Sequence, residues 1–218
     1  MPIIAKDSTG DKFPKLPLPE AGTTQAVCCA VWDLGNQVTP YENEDGTPKV
    51  QHKVIIAWEI SEKINAPESE YHGKPYMLNR KYTLSLSDKA NLRKDLEAWR
   101  GKQFTGEELA GFNLSKLLKA PCQLTVVHEQ GKNGSTYANI KAIAPLAKGM
   151  QAPPECANEP VMYDISEGIG GAFQKFSDKL KETIAACQEW QGKGAVSSEA
   201  PGSDQKPGAT EDEDNIPF

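Results

Sequence analysis

Two segments of the chain interleave basic and aromatic side chains, a combination suited to a ligand with both flat rings and phosphate groups. Residues 49–60 and 76–86 alternate in polarity, which is typical of β-strands. Aromatic rings stack on unpaired bases, and cationic groups neutralise the phosphates of a single strand. The candidate single-strand-binding residues on these segments are Lys49, His52, Lys53, Trp58, Tyr76, Arg80, Lys81 and Tyr82, and a later hairpin adds His128, Lys132 and Tyr137.

Several of these side chains have a second interpretation that alternation leaves open. Trp58 and Tyr82 fall in phase with apolar neighbours, so they could pack in a core instead of stacking on bases. Arg80 shares that apolar phase, so its guanidinium either reaches an opening of the fold or pairs with an acid. Lys53 and Lys81 lie on the opposite phases of their strands, which predicts exposure and allows contact with phosphate.

The chain carries no constellation typical of an enzyme. It contains no phosphate-binding loop, no serine nucleophile elbow and no zinc-protease motif, so we expect no catalysis. The histidines show no metal-ligand spacing to one another or to cysteine, so we expect no metal and no other cofactor. An odd cysteine count without a CxxC pair predicts reduced, mostly buried thiols. The cysteines are Cys28, Cys29, Cys122, Cys156 and Cys187.

The net charge of −6 is distributed unevenly along the chain. Residues 1–150 hold nineteen basic and seventeen acidic side chains, whereas residues 195–218 hold one basic and six acidic side chains. The body is therefore slightly basic and the tail is acidic, which is compatible with a nucleic-acid partner. The chain begins with no signal pattern and has no apolar run of membrane-spanning length, so we expect a protein of the cytoplasm that does not bind membranes.

The elements that must position the candidate residues form a mainly β pattern. Strands are predicted at 23–34, 49–60, 76–86, 122–129 and 136–145, and the last two are joined by a Gly-Lys-Asn-Gly turn. Between the third and fourth strands, Ser87 is expected to cap a helix that ends at Gly101, and Thr105 with Glu108 forms a capping box for a second helix. This order predicts a five-stranded OB-fold barrel with a helical insertion between strands three and four, and a plain meander is the alternative.

The regions on either side of the barrel have different compositions. Residues 1–22 are rich in proline and lysine and are predicted to form an extended arm, and residues 23–149 form the barrel domain. After a connector from residue 150, apolar residues at three- and four-residue steps between 163 and 190 predict an amphipathic helix of about 18 residues. That helix must bury its apolar stripe against the barrel or against a second copy, which would make a dimer. Residues 192–210 are predicted to be a disordered linker.

The last eight residues, 211–218, form a segment that cannot fold alone. Four consecutive carboxylates precede Asn215, Ile216, Pro217 and Phe218. The charges repel one another, and there is almost no apolar surface to bury. A partner with a small apolar pocket rimmed by basic residues would receive the tip. The predicted docking residues are Asp212, Glu213, Asp214, Ile216, Pro217 and Phe218.

This ending resembles the tip of bacterial single-stranded DNA-binding proteins, in which an acidic run leads into Ile-Pro-Phe. The resemblance implies docking on replication, recombination and repair proteins, although Asn215 stands where that family usually has an acid. The stretch 81–111, from Lys-Tyr-Thr-Leu-Ser-Leu-Ser to Phe-Thr-Gly-Glu-Glu-Leu-Ala-Gly, is similar to proteins of tailed bacteriophages. Together these resemblances imply a phage-encoded, non-catalytic protein that protects single-stranded DNA in a bacterial host cell during replication and recombination.

Two other functions remain open. The barrel could bind protein rather than DNA, so that the tip makes the chain an adaptor that captures the partners of the host protein. The body could also be a phage nuclease or another enzyme with an unfamiliar site. If the barrel does bind DNA, the acidic tail can compete for the same basic groove when DNA is absent.

Overall fold

A computed structural model of the chain describes residues 16–191, except residues 133, 152 and 154. The predicted tip, the linker and most of the predicted N-terminal arm lie outside the described residues. The six strands of the sheet are β1 (Gly22–Glu42), β2 (Pro48–Lys63), β3 (Pro75–Thr83), β4 (Pro121–Gln130), β5 (Thr136–Ala144) and β6 (Val161–Tyr163). The α-helices are α1 (Asn91–Arg100), α2 (Gly106–Ala110), α3 (Asp178–Ala185) and α4 (Gln188–Gln191), and 3₁₀ helices span Leu114–Leu117, Ile165–Glu167 and Gly171–Lys175.

The sheet is organised around β1, the longest strand. The hydrogen-bonded order is β3-β2-β1-β4-β5, and each of these neighbouring pairs is antiparallel. The first part of β1 pairs with β4, and residues 30–32 pair in parallel with β6 on the same side. The mainly β prediction is confirmed, and β6 is a strand that the sequence patterns did not reveal.

The inner face of the sheet buries the first of two hydrophobic cores. Val54, Ile56, Trp58 and Ile60, which share one face of β2 by alternation, lie in this core. Helix α1 covers the core with its apolar face, which carries Leu92, Leu96 and Trp99. The indole of Trp99 lies 5.7 Å from that of Trp58, and its Nε1 donates a hydrogen bond to the carbonyl oxygen of Pro121 at 2.9 Å. Helix α1 is therefore fixed to both halves of the sheet.

The local signals for the helices after β3 are partly confirmed. Gly101 ends α1 in the left-handed conformation, with φ of 65°. Thr105 and Glu108 form the expected capping box at the start of α2. The expected cap at Ser87 is wrong, because α1 begins at Asn91 and Ala90 precedes it without a side-chain cap. Residues 87–90 instead form a turn in which the amide of Ala90 donates to the carbonyl oxygen of Ser87 at 2.9 Å.

The outer face of β1 and β2 buries a second core, against the segment 161–191, which we call the C-terminal cover. The predicted helix of about 18 residues is wrong: β6, two 3₁₀ helices, α3 and α4 occupy this segment. Glycines at 168, 170 and 171 interrupt it, and two of them have positive φ. The apolar stripe is nevertheless buried, against the sheet of the same chain. The core includes Ala30, Trp32, Leu34, Ile55, Ala57, Tyr163, Phe173, Leu180 and Ile184.

Polar contacts also hold the C-terminal cover on the sheet. The carboxylate of Glu189 accepts hydrogen bonds from the backbone amide of Asn36 and from its side-chain Nδ2, the latter at 2.8 Å. The side-chain Nε2 of Gln37 donates to the carbonyl oxygen of Thr183 at 2.9 Å. These contacts fix α3 and α4 to the second half of β1.

The prediction of reduced thiols is wrong for one pair of cysteines. Cys29 and Cys156 form a disulfide between β1 and the connector that leads into β6. Cys28, Cys122 and Cys187 are free and buried, as expected. Burial raises the pKa of Cys28 to about 12 and also raises the pKa of Cys122, so both thiols stay protonated at neutral pH.

Within the described part of the chain, no helix has the length and apolar character that crossing a bilayer requires.

Replacement of Phe173 by Ala tests the second core. Its ring lies 5.2 Å from Trp190 and about 6 Å from Tyr163 and Phe176, measured between ring centroids. We expect Phe173→Ala to lower the free energy of unfolding by about 3–5 kcal/mol in denaturant titrations, because it removes a buried ring and leaves a cavity. Ile169→Ala in the same segment is the control, since Ile169 is 58% exposed. Equal small effects of the two variants would contradict the packing described.

Candidate nucleic-acid interface

The outer face of β2 and β3 carries a group of polar side chains, which we call the β2–β3 polar strip: Gln51, Lys53, Lys81 and Thr83. Lys53 of β2 lies opposite Thr83 of β3. Two residues further along β2, Ile55 lies opposite Lys81. The Nζ of Lys53 donates to Gln51 Oε1 at 2.7 Å and to Thr83 Oγ1 at 2.9 Å. All four side chains are half-buried. The strip therefore brings two predicted lysines onto one face, with the hydrogen-bonding groups of Gln51 and Thr83 next to Lys53.

The aromatic residues predicted on the same strands face the other way. Trp58, Tyr76 and Tyr82 are buried in the first core, and Trp58 has no exposed surface at all. Their strand positions have the phase of Val54 and Ile56, so their rings point inward. Trp58 and Tyr82 therefore pack in the core and do not stack on a ligand. Their rings present no face on which a base could stack.

Arg80 also lies on the inner phase, where it pairs with an acid of α1. Its guanidinium contacts Asp95 Oδ2 at 2.9 Å, and the hydroxyl of Tyr82 donates to the same oxygen at 2.8 Å. Burial, and then the negative charge of Asp95, raise the pKa of Tyr82 well above its ordinary value. This Arg80–Asp95–Tyr82 group links α1 to β3. The guanidinium of Arg80 therefore serves to position the helix and is not available as an unpaired cation.

His52 contacts an acid of β1 and lies close to acids of the C-terminal cover. Its Nε2 is 2.5 Å from Asp33 Oδ1. Hydrogen bonds from Ser166 and the nearby charge of His52 lower the pKa of Asp164. Burial opposes ionisation of Glu189, yet the Asn36 amide and His52 leave its pKa below the ordinary value. An imidazole among these carboxyl groups is poorly placed for a phosphate.

The turn between β1 and β2 is acidic. Lys49 is exposed, but Glu42, Glu44 and Asp45 line the same shallow depression. Hydrogen bonds from the hydroxyl and then the amide of Thr47 lower the pKa of Asp45, so this carboxylate remains charged. Negative charge beside Lys49 limits the phosphate contact that this turn can make.

The β4–β5 hairpin carries the remaining predicted residues at the opposite end of β1. Val126 pairs with Gly22, so the hairpin extends beyond the start of β1, whereas the acidic turn follows its end. His128 Nε2 lies 2.8 Å from the carbonyl oxygen of Pro19. Lys132 is exposed and Tyr137 is half-buried. The structure therefore does not bring this hairpin together with Lys49.

The sequence patterns missed two exposed rings and two strip residues. Tyr41 is 53% exposed near the end of β1, and Tyr71 is 38% exposed in the loop between β2 and β3, with Lys74 Nζ 5.0 Å from its ring centroid. These tyrosines lie toward opposite ends of the β2–β3 face. Gln51 and Thr83 could have been found from their two-residue spacing to Lys53 and Lys81.

A pocket of about 390 Å³ lies beside α1 and is also absent from the sequence prediction. Trp99, Leu117, Pro145 and Leu146 contribute apolar walls. The guanidinium of Arg100 lies 4.4 Å from the ring centroid of Phe104, and it is also paired with Glu108. The pocket can hold a small apolar group, and of the two cations that line it, Arg100 and Lys116, the first is paired with an acid.

Comparison with known proteins returned no match, either to a protein-family model or to a curated protein.

Replacement of Asp95 by Ala tests the positioning contact of Arg80. We expect a loss of about 1–3 kcal/mol of unfolding free energy, because a half-buried guanidinium and a buried hydroxyl both lose their acceptor. Asp88→Ala is the control, since Asp88 pairs with Arg93 at an exposed site and should change stability by about 1 kcal/mol or less. Chemical denaturation of both variants gives the comparison, and a smaller loss for Asp95→Ala than for its control would contradict the assignment.

Proposed function

We propose that the chain binds and protects single-stranded DNA without catalysis, and that residues 211–218 recruit replication, recombination and repair proteins. The β2–β3 polar strip carries this proposal. It places two lysines beside amide and hydroxyl groups on one sheet face, a composition that suits a phosphate backbone read without regard to sequence. The bases would stack on Tyr41 and Tyr71, toward the ends of that face.

The strand order supports an OB-type barrel as the framework for this binding. The two edges of the hydrogen-bonded sheet are β3 and β5, and their Cα atoms come within 8 Å of each other. Helix α1 follows β3 in the chain and packs against both edges. A sheet of this order closes into a five-stranded barrel when these edges meet, and that fold binds oligonucleotides on its strand 2–3 face.

Two observations favour a second candidate, an adaptor that carries the tip without binding DNA. Each of the three arginines, Arg80, Arg93 and Arg100, is paired with a carboxylate. The C-terminal cover also occupies part of the outer face of β2, at Ile55 and Ala57. Both features reduce the described surface that is open to phosphate.

Fluorescence anisotropy with labelled oligo-dT tests the lysines of the strip. We expect the double variant Lys53→Ala, Lys81→Ala to bind more weakly and to lose about 1.4 from the slope of log affinity against log salt, at about 0.7 for each phosphate contact. Lys141→Ala, an exposed lysine of β5, is the matched control. An unchanged slope in the double variant would contradict the proposed footprint.

The unmodified chain decides between the candidates in the same assay. Binding to oligo-dT that exceeds binding to a duplex of equal length supports the proposal. The same titration with an RNA oligomer shows whether the chain prefers DNA or RNA. No binding at about 50 mM salt, where phosphate contacts are strongest, would leave the adaptor. Cleavage of the labelled strand when Mg²⁺ is added would instead indicate a nuclease.

Single replacements of Tyr41 and Tyr71 test stacking. We expect each Tyr→Ala variant to weaken oligo-dT binding by about 1–3 kcal/mol, because a stacked base loses its ring. The matched Tyr→Phe variants retain the ring and should bind like the unmodified chain. If Tyr→Ala variants bind normally, the rings do not contact bases; if Tyr→Phe is as weak as Tyr→Ala, the hydroxyl is the binding group and stacking is rejected.

A further inference from the structure

Three side chains that are distant in sequence meet beneath the connector to β6. Cys29 belongs to β1, Glu59 to β2 and Cys156 to the connector. The two sulfur atoms and a carboxylate oxygen of Glu59 all lie within 4.8 Å of one another. Cys29 and Glu59 are buried, and Cys156 is half-buried. Nothing in the proposed DNA-binding function uses this cluster.

Among the described residues, Glu59 is the one buried charged side chain, with 3% of its surface exposed. Its Oε2 accepts from the Ala157 amide at 2.6 Å, and its Oε1 accepts from the amide and the Nδ2 of Asn158, at 3.2 and 2.6 Å. No ion pair to Glu59 is found within the part of the chain that the structure describes. A carboxylate has about four acceptor sites, so three hydrogen bonds leave one unused next to two sulfurs.

A β-bulge places Cys29 in this cluster. Cys28 pairs with Trp58 and Ala30 pairs with Ala57, so Cys29 is an extra residue between them. Bulges re-aim side chains, and here the neighbours diverge: Cys28 faces the first core, and Cys29 reaches the connector.

We propose that Cys29, Cys156 and Glu59 form a zinc site when the two cysteines are reduced. Two thiolates and one carboxylate are ligands that Zn²⁺ accepts, and water can complete the tetrahedron from the half-exposed side of Cys156. With Zn–S bonds of about 2.3 Å, two sulfurs in a tetrahedral site are about 3.8 Å apart. The Cα atoms of the two cysteines are 6.0 Å apart, so both side chains reach a common centre.

The disulfide and the zinc site exclude each other, because both use the same sulfurs. A dithiol reductant supplies two electrons and two protons, breaks the S–S bond and leaves two thiols. Zn²⁺ then displaces both thiol protons and binds two thiolates with Glu59. The dication also offsets the negative charge of a carboxylate that has no cationic partner in the described residues.

The hydrogen bonds from residues 157 and 158 orient the carboxylate ligand. Ligating carboxylates are commonly held in this way by groups that do not touch the metal, and loss of such a group weakens metal affinity by about 10–100-fold. Because both donors follow Cys156 directly, one short segment supplies a ligand and fixes another. The bound ion would hold the connector that leads into the C-terminal cover against β1 and β2 under reducing conditions, as the disulfide does under oxidising ones.

Titration of the reduced full-length chain with Co²⁺ tests the site, with a phosphine reductant that does not bind the metal. We expect one equivalent of Co²⁺ to produce thiolate-to-cobalt absorption in the near ultraviolet, and Zn²⁺ to abolish it. Cys29→Ser and Cys156→Ser should remove the absorption, and Glu59→Gln and Asn158→Ala should weaken binding by at least about 10-fold. Cys187→Ser is the matched control, because Cys187 is free and buried elsewhere.

Oxidation of the chain before the titration should prevent binding. Circular dichroism of each variant identifies any that fail to fold. If Glu59→Gln does not fold, Cys156→Ser still tests the site, because Cys156 is the most accessible of the three ligands. The proposal is overturned if the reduced, folded chain gives no thiolate absorption. It is equally overturned if Cys156→Ser binds Co²⁺ as the unmodified chain does, or if Cys187→Ser loses binding to the same extent.

Discussion

Burial of β1 and β2 on both faces is the constraint on which the rest of the fold depends. Ile56 and Trp58 pack inward beneath α1, while Ile55 and Ala57, which alternate with them, pack outward beneath the C-terminal cover. A half-buried strand alternates between apolar and polar residues, whereas a strand buried on both faces is apolar throughout. The seven consecutive buried residues 54–60 of β2 have this character, with Glu59 as the exception. Without the C-terminal cover, the outer apolar residues of this pair would face water.

Much of the inner half of the fold could be predicted from the sequence, because it rests on local signals. The alternation in β2 and β3, the capping box at Thr105 and the glycine end of α1 all involve residues close together in the chain. The outer half could not be predicted in the same way. Glycines interrupt the 163–190 pattern, and β6 has three residues that become a strand only because β1 offers a free edge at residues 30–32.

The candidate site shows the same division. Alternation correctly placed Lys53 and Lys81 on the face opposite the first core, because every second side chain of a strand points to the same face. It could not decide whether Trp58 stacks on a ligand or packs in a core, because both need an aromatic side chain at that position. The bulge at Cys29 shifts the phase of β1 by one residue, and the partner of Cys29 is 127 residues away. Neither the bulge nor the pairing has a local signal in the sequence. The sequence patterns therefore could not show that Cys29, Glu59 and Cys156 lie together.

The distribution of cations bears on the kind of nucleic-acid contact that the proposed function requires. Arginine forms bidentate contacts that suit base edges, and all three arginines are committed to carboxylates within the chain. Lysine acts as a point charge that neutralises phosphate whatever the base. A surface that offers lysines and tyrosines therefore favours contact that depends on salt and is indifferent to sequence. Under the proposed function, the six acidic side chains of residues 195–218 would compete with DNA for the same lysines, and because both contacts are electrostatic, salt would weaken the competition along with the binding.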